Sequence, residues 1–217
     1  MAYPFLVTLA DGILATLIRE WQREPYRWSK ELDFHVSLVS RIDTALRLLG
    51  RDTVLGNYGG APAGFETTTT QRWARVAATP TVMLRGADKS PPTNVMPDVV
   101  VWDDIKDPNN PPDARAREVR RNWPMIWACE LKLNDRKQTQ RDAQKLSAFI
   151  QENELGYGSC VELTRAALRD GGANLPDGAR AKWFDNLVYF ESPLCKRLWH
   201  WKAWLPTIGE PSTKNAR

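Results

Sequence analysis

The segments MPDVVVW (residues 96–102) and IWACELKL (residues 126–133) decide the fold, because each places charged residues inside an apolar run. Short apolar runs rich in β-branched residues are typical of buried strands. Charge inside a strand is costly, since a desolvated carboxylate or ammonium group loses its hydration unless another charge or a metal ion replaces it. The charged residues Asp98, Glu130 and Lys132 therefore indicate a divalent-metal site.

Strand geometry predicts that these three side chains meet. Side chains alternate between the two faces of a strand and advance about 3.3 Å per residue, so Glu130 and Lys132 share one face about 7 Å apart. If the two segments pair antiparallel, the start of the first lies beside the end of the second, and Asp98 lies next to Glu130 and Lys132. The connection of ~20 residues between them is long for a hairpin and predicts an elaborated loop.

The chemistry of these groups points to phosphodiester cleavage. Mg²⁺ prefers oxygen ligands and is often held by one or two carboxylates, which Asp98 and Glu130 can supply. A bound cation stabilises charge on a phosphate and lowers the pKa of a coordinated water. The ammonium group of Lys132 can orient that water or neutralise developing negative charge. We therefore expect Mg²⁺ as the cofactor, with Mn²⁺ able to substitute.

The motif Pro97-Asp98, 31 intervening residues, then Glu130-Leu131-Lys132 resembles that of the PD-(D/E)xK nuclease superfamily, which has the restriction-endonuclease-like fold. The resemblance extends over residues 29–165. It implies an α/β fold with a central mixed β-sheet flanked by helices. It also implies that Asp98 and Glu130 bind the metal and that Lys132 assists catalysis.

A helix before the sheet offers a fourth site residue. Ser29 is a favourable N-cap and Gly50 a stop signal, so a helix is predicted between them. At 100° per residue one side of this helix carries a largely apolar stripe, formed by Glu31, His35, Leu38, Ile42, Ala45, Leu46 and Leu49. Asp33 falls nearly opposite and should be solvated. The family resemblance implies that a glutamate of this helix reaches the metal, and Glu31 matches that role better than Glu20 or Glu24.

Two readings of this helix stay open. Glu31 can equally be a first-turn charge that complements the helix dipole. His35 is interpreted as a packed or surface histidine rather than a ligand. In the helix after the second strand, Gln140, Asp142, Gln144 and Lys145 are polar positions whose supporting role is left open.

The remaining elements are predicted more coarsely. Helices are expected over residues 5–23 and 139–152, and strands over residues 72–84, 157–163 and 187–190. Residues 1–205 are interpreted as a single nuclease-like domain with an N-terminal helical addition. Residues 206–217 are expected to be a disordered tail.

Composition limits the possible classes of protein. The 217 residues carry a net charge of +4 and a pI near 9.0, which mildly favours a polyanionic partner. The N-terminal apolar run is too short and too interrupted by charge to span a bilayer, so no membrane partner and a cytoplasmic location are expected. Cys129, Cys160 and Cys195 are odd in number and far apart, which predicts reduced thiols in the core. Two histidines cannot form a histidine-rich metal centre.

Basic clusters suggest surfaces that could contact nucleic acid. They lie at Arg115–Arg121, at Arg165–Lys182, and at Lys196–Lys202, where Trp199 and Trp201 interleave with the charges and Trp204 follows. Basic groups can neutralise phosphates, and aromatic faces can stack on unpaired bases. The arginine run is equally typical of a solvated helix face, and the tryptophan-rich end is more typical of core packing or a partner surface. The nucleic-acid-binding residues are therefore left unassigned.

The leading hypothesis is a metal-dependent nuclease, with DNA as the expected substrate, that acts through Asp98, Glu130 and Lys132 with the help of Glu31. The alternatives are a non-catalytic nucleic-acid-binding module and a protein-interaction module on the same fold. Carboxylates beside a phosphate weaken binding unless a cation intervenes, which favours catalysis. A homodimer or a partner protein could supply sequence specificity.

Overall fold

The computed structural model describes residues 5–28, 30–49, 52–53, 73–78, 82–84, 93–95, 97–105, 125–152, 156–165, 181–184 and 186–205. These residues form the helices α1 (Phe5–Arg23), α2 (Glu31–Leu48) and α3 (Arg136–Glu152). They form the strands β1 (Asp52–Thr53), β2 (Trp73–Ala78), β3 (Val82–Leu84), β4 (Thr93–Val95), β5 (Val99–Ile105), β6 (Met125–Leu133), β7 (Tyr157–Thr164), β8 (Ala181–Phe184), β9 (Leu187–Glu191) and β10 (Leu198–Trp204).

The main sheet contains eight of these strands in the order β1-β2-β5-β6-β7-β10-β9-β8, and β3 pairs with β4 separately. The sheet is mixed, because β2, β5 and β6 are antiparallel neighbours whereas β6, β7 and β10 run parallel. A parallel pair needs a crossover connection, and α3 lies between β6 and β7 in the chain. The expectation of an α/β protein with a mixed sheet and flanking helices is confirmed.

The helices cover both faces of the sheet. Trp127, Cys129 and Leu131 of β6 pack in one apolar core with α1 and α2. On the other face α3 approaches β7 closely, since a Cβ atom added to Gly158 would lie 2.7 Å from Ile150 Cδ1. Residues 130 and 132 of β6 therefore start from the face opposite that core, as strand alternation requires.

Helix α2 is fixed at its packing face and at its start. Arg41 on α2 donates two hydrogen bonds of 2.7 Å to Glu20 on α1, a bidentate geometry that sets direction as well as distance. The N-cap is Lys30, one residue after the predicted Ser29, which lies outside the described residues. The backbone N–H of Lys30 donates to Asp33 Oδ2 at 3.1 Å, so the exposed Asp33 caps the helix.

The predicted apolar stripe of α2 was wrong at Leu49 and omitted two buried residues of the helix. Leu49 follows the last helical residue and is 46% exposed, because the helix ends at Leu48. Phe34 and Asp43, which the stripe omitted, are buried. A helix that packs against both α1 and the sheet buries a wider arc than a single stripe.

The tryptophan-rich end was not predicted as a strand, yet it forms β10 inside the sheet between β7 and β9. Trp201 and Trp204 are buried and Trp199 is half-buried, which agrees with the core-packing alternative for the first two. The predicted strand over residues 72–84 is divided into β2 and β3. Helix α3 begins at Arg136, three residues before its predicted start.

Several expectations fall outside the described residues. These are the elaborated loop between β5 and β6, the arginine run Arg115–Arg121 and the tail over residues 206–217. The three cysteines carry free thiols, and Cys129 and Cys160 are buried as predicted, whereas Cys195 is only half-buried. Among the described helices, none has the length and apolar character needed to cross a membrane.

Candidate active site

Strands β5 and β6 bring Asp98, Glu130 and Lys132 together where their pairing ends. The last registered pair at this end is Val99 with Cys129, so Asp98 follows beside Glu130 as predicted. Asp98 Oδ2 accepts a hydrogen bond of 2.7 Å from the backbone N–H of Leu131 and lies 3.4 Å from Lys132 Nζ. The antiparallel register thus positions the carboxylate.

Helix α2 adds Glu31 and His35 from its first two turns. Lys132 Nζ donates a hydrogen bond of 2.8 Å to Glu31 Oε1. His35 lies one turn further along the same helix face, with Nε2 3.4 Å from Asp98 Oδ2. The sequence predicted Glu31 at this place, but interpreted His35 as a packed or surface residue.

Helix α3 contributes Asp142, a residue whose role the sequence left open. Asp142 Oδ2 lies 3.6 Å from Lys132 Nζ, and Oδ1 lies 3.0 Å from Lys145 Nζ and 3.0 Å from Gln138 Nε2. Asp142 is 4% exposed. A carboxylate this buried is normally paired, and here it holds Lys132 from the α3 side. Gln140 and Gln144 are exposed.

Burial shapes the protonation of Glu130. The side chain is nearly inaccessible, with the residue 5% exposed. Burial first, then the negative charges of Asp98 and Asp142, raise the pKa of Glu130 to about 9. A hydrogen bond between Glu130 and Asp98 acts in the same direction. At neutral pH, Glu130 therefore carries a proton in the absence of another cation.

Lys132 and His35 differ in charge: the lysine is a cation and the histidine is neutral. Burial lowers the pKa of Lys132, but the Glu31 hydrogen bond and the carboxylates of Asp98 and Glu130 outweigh it and leave the pKa raised. Lys132 is thus an ammonium ion at neutral pH. Burial also lowers the pKa of His35, and the negative charges of Asp98 and Glu31 only partly oppose it. His35 is therefore a neutral imidazole with a lone pair on one ring nitrogen.

The donor set fits a divalent cation. Ligand atoms of Glu31, His35 and Asp98 lie within 4.8 Å of one another. Within the described part of the chain, neither ring nitrogen of His35 makes a hydrogen bond, although both are buried and Nε2 lies 3.4 Å from Asp98 Oδ2. A buried polar atom without a partner is rare and needs a physical reason, and metal ligation by a neutral imidazole is one.

The net charge of the acidic groups around Lys132, here called the carboxyl cluster, also favours binding of a divalent cation. Four carboxyl groups (Glu31, Asp98, Glu130 and Asp142) surround two ammonium groups (Lys132 and Lys145). With Glu130 protonated and the other groups ionised, one negative charge is unbalanced. Ionisation of Glu130 would leave two, which one divalent cation would balance. Isolated charge of this kind is costly in a buried site.

One detail differs from the expected ligand pair. The sequence named Asp98 and Glu130 as metal ligands, whereas the group with closely spaced ligand atoms joins Asp98 to Glu31 and His35. Glu130 is hydrogen-bonded to Asp98 instead, and its role as a ligand stays a prediction. The signal for His35 and Asp142 was available, since both are polar residues on the buried sides of their helices.

Two described residues of the positively charged segments named from the sequence make contacts within the fold. Arg165 donates to the backbone oxygen of Trp28 at 3.0 Å and lies over the ring of Tyr26. Lys202 pairs with Glu162 at 3.9 Å.

Comparison of the chain with protein-family models, curated proteins and solved structures found no match.

Proposed function

We propose that this chain is a divalent-metal-dependent nuclease that hydrolyses phosphodiester bonds of nucleic acid, with DNA as the expected substrate. The observation that carries the proposal is the meeting of Asp98, Glu130 and Lys132 at one end of the β5–β6 pairing, with Glu31 bound to Lys132. The order of α2, the antiparallel strands β5 and β6, α3 and the parallel strand β7 supports a restriction-endonuclease-like core.

The proposed metal ligands are Asp98 and Glu31, with His35 as a third. A bound Mg²⁺ or Mn²⁺ ion would polarise the scissile phosphate and lower the pKa of a coordinated water. Imidazole suits transition metals better than it suits Mg²⁺. The presence of His35 in the donor set therefore favours Mn²⁺ over Mg²⁺ in activity assays.

Lys132 acts in this proposal as a cation and hydrogen-bond donor. Its pKa is raised, so it is a poor general base at neutral pH. Its ammonium group can donate to a non-bridging phosphate oxygen while negative charge develops there. Asp142 holds that ammonium group in place from α3, and we assign Asp142 as a positioning residue.

The test is a cleavage assay with labelled single-stranded DNA, double-stranded DNA and RNA, each with Mg²⁺, Mn²⁺ or EDTA. The informative variant is Asp98→Asn, because an amide oxygen can still accept the Leu131 hydrogen bond that positions residue 98. We expect metal-dependent cleavage by the native chain and a loss of more than about 10³-fold in Asp98→Asn.

Glu24→Gln is the matched control, since the Glu24 side chain is 65% exposed outside the site. It should cleave at the native rate. Binding of nucleic acid without cleavage under either metal would favour the non-catalytic module. Equal cleavage by Asp98→Asn and the native chain would refute the proposed site.

A further inference from the structure

A groove of about 580 Å³ lies between α1 and the β9–β10 side of the sheet. None of its described lining residues belongs to the carboxyl cluster. One wall is a face of α1 that includes Gly12 and Ala15. The opposite wall consists of the aromatic side chains Tyr189, Trp199 and Trp201.

The three aromatic side chains of this wall differ in burial. Tyr189 stacks on Trp201, with ring centroids 4.6 Å apart and planes inclined by 15°. The Trp199 ring is tilted by 53° relative to Tyr189, with the ring centroids 5.6 Å apart. Trp201 is only 6% exposed, whereas Tyr189 and Trp199 are half-buried and reach the groove. A planar ligand can therefore continue the stack on partly exposed rings.

The charges in the groove favour an anionic ligand. Arg19 and Lys182 line it, and Lys182 Nζ lies 5.5 Å from the centre of the Tyr189 ring. The acidic residue of the lining, Asp11, directs Oδ1 toward the protein interior, where it accepts hydrogen bonds from Trp127 Nε1 at 2.9 Å and Ser159 Oγ at 2.8 Å. Aromatic faces next to basic groups match a base joined to a phosphate.

We infer that this groove binds one unpaired nucleotide, with its base stacked on Trp199 beside Tyr189 and its phosphate near Lys182 and Arg19. The volume is within the range of about 300–1,000 Å³ typical of small-ligand sites, so it suits a nucleotide and is too small for a duplex. A base inside a duplex is stacked between its neighbours and cannot enter such a site unless it is flipped out. The inference goes beyond the proposed nuclease activity.

The first test is fluorescence anisotropy with a short fluorescein-labelled single strand and with a duplex of the same sequence, in EDTA so that cleavage cannot interfere. We expect the single strand to bind more tightly than the duplex. Trp199→Ala should weaken single-strand binding by about 5- to 150-fold, the range for loss of one stacked base. Trp199→Phe should retain most of the affinity, because it keeps a ring.

Tyr26→Ala is the matched control, because Tyr26 is an aromatic residue that is 80% exposed and does not line the groove. It should bind the single strand with native affinity. Lys182→Ala should flatten the salt dependence of binding. Arg23→Ala, which removes an exposed cation at the end of α1, should leave that dependence unchanged.

A second variant keeps every aromatic ring in place. A Cβ atom added to Gly12 would have no neighbour within 4 Å, so Gly12→Ala should fold and bind normally. Gly12→Leu should fold equally well but fill part of the groove and lose single-strand affinity, with thermal unfolding measured to verify the fold of both.

The nucleotide in the groove could be a free nucleotide or part of a strand. Competition with a nucleoside monophosphate distinguishes these two cases. Displacement of the labelled strand would show that a free nucleotide suffices, and strand binding without displacement would show that the neighbouring nucleotides are needed. The inference is overturned if Gly12→Leu and Trp199→Ala both bind the single strand with native affinity, or if the duplex binds as tightly. These measurements use no metal, so their outcome is independent of whether the chain cleaves.

Discussion

Two lysines lie in one row across the sheet but in different electrostatic surroundings. Lys132 on β6 is in register with Glu162 on β7, which is in register with Lys202 on β10. Lys202 pairs with Glu162 at 3.9 Å, and its Nζ lies 5.7 Å from the centre of the Phe190 ring. Lys132 lies 2.8 Å from Glu31, 3.4 Å from Asp98 and 3.6 Å from Asp142. A structural ion pair is balanced, whereas the carboxyl cluster has surplus negative charge.

The two histidines repeat this contrast. His200 Nε2 lies 3.0 Å from Ser192 Oγ, and its ring stacks on Phe190 at 5.1 Å. Burial, with the nearby charge of Lys202, lowers the pKa of His200 to about 4, so it is neutral and hydrogen-bonded. His35 is also neutral, but neither of its ring nitrogens makes a hydrogen bond to a described residue. His200 is thus satisfied by Ser192, whereas His35 lies beside the carboxylates of Glu31 and Asp98, which we propose as metal ligands.

The largest expected difference between the two regions concerns the lysines. Lys132→Met should lower the rate of metal-dependent cleavage by about 10²- to 10³-fold, because the ammonium group beside the scissile phosphate is lost. Lys202→Met should leave the rate unchanged, since Lys202 pairs with Glu162 on β7 and is not part of the carboxyl cluster. The measurement is single-turnover cleavage by both variants. An equal loss of cleavage rate in the two variants would show that Lys132, like Lys202, has only a structural role.

The next largest expected effect is a difference in Mn²⁺ affinity between variants of the two histidines. His35→Gln should weaken Mn²⁺ binding by about 10- to 100-fold, the range seen when support for a metal site is removed. His200→Gln should not change it. Isothermal titration with Mn²⁺ measures both without requiring cleavage. Native affinity in His35→Gln would remove His35 from the set of ligands.

The smallest effect is a pH dependence of stability. The folded state keeps the Glu130 proton up to about pH 9, whereas an unfolded glutamate loses it near pH 4.3, about the usual value. In this window the unfolded chain binds fewer protons, so the free energy of unfolding falls as pH rises, by at most about 1.4 kcal/mol per pH unit. Between about pH 7 and pH 8, unfolded histidines and thiols contribute little.

Urea unfolding in EDTA at these two pH values tests this. The native chain should lose about 1 kcal/mol from pH 7 to pH 8. Glu130→Gln carries a neutral amide at both values and should lose much less. The same slope in both proteins would mean that Glu130 is already ionised, and its proposed link to cation binding would fail.

Local patterns predicted the elements on which the site is built. Helical periodicity predicted α1 with its observed bounds, because a helix at the surface of a core needs an apolar face. Alternation along β6 predicted that Glu130 and Lys132 share a face, because side-chain direction in a strand depends only on the parity of the position. The antiparallel pairing that brings Asp98 to them was a conditional prediction that the register confirms.

Other features depended on neighbours that no local pattern identifies. The strand character of residues 198–204 was missed because its tryptophans and basic residues also suit a surface. Its place between β7 and β9 is a property of the whole sheet.

The sequence by itself determined the charged residues of the two central strands and the face that each occupies. Only the tertiary structure decided that Glu31, 101 residues before Lys132, bonds to it, and that His35 and Asp142 join the same cluster. The physical reason is that periodicity fixes the direction of a side chain relative to its own element, whereas the charge and burial around it are set by elements distant in the chain.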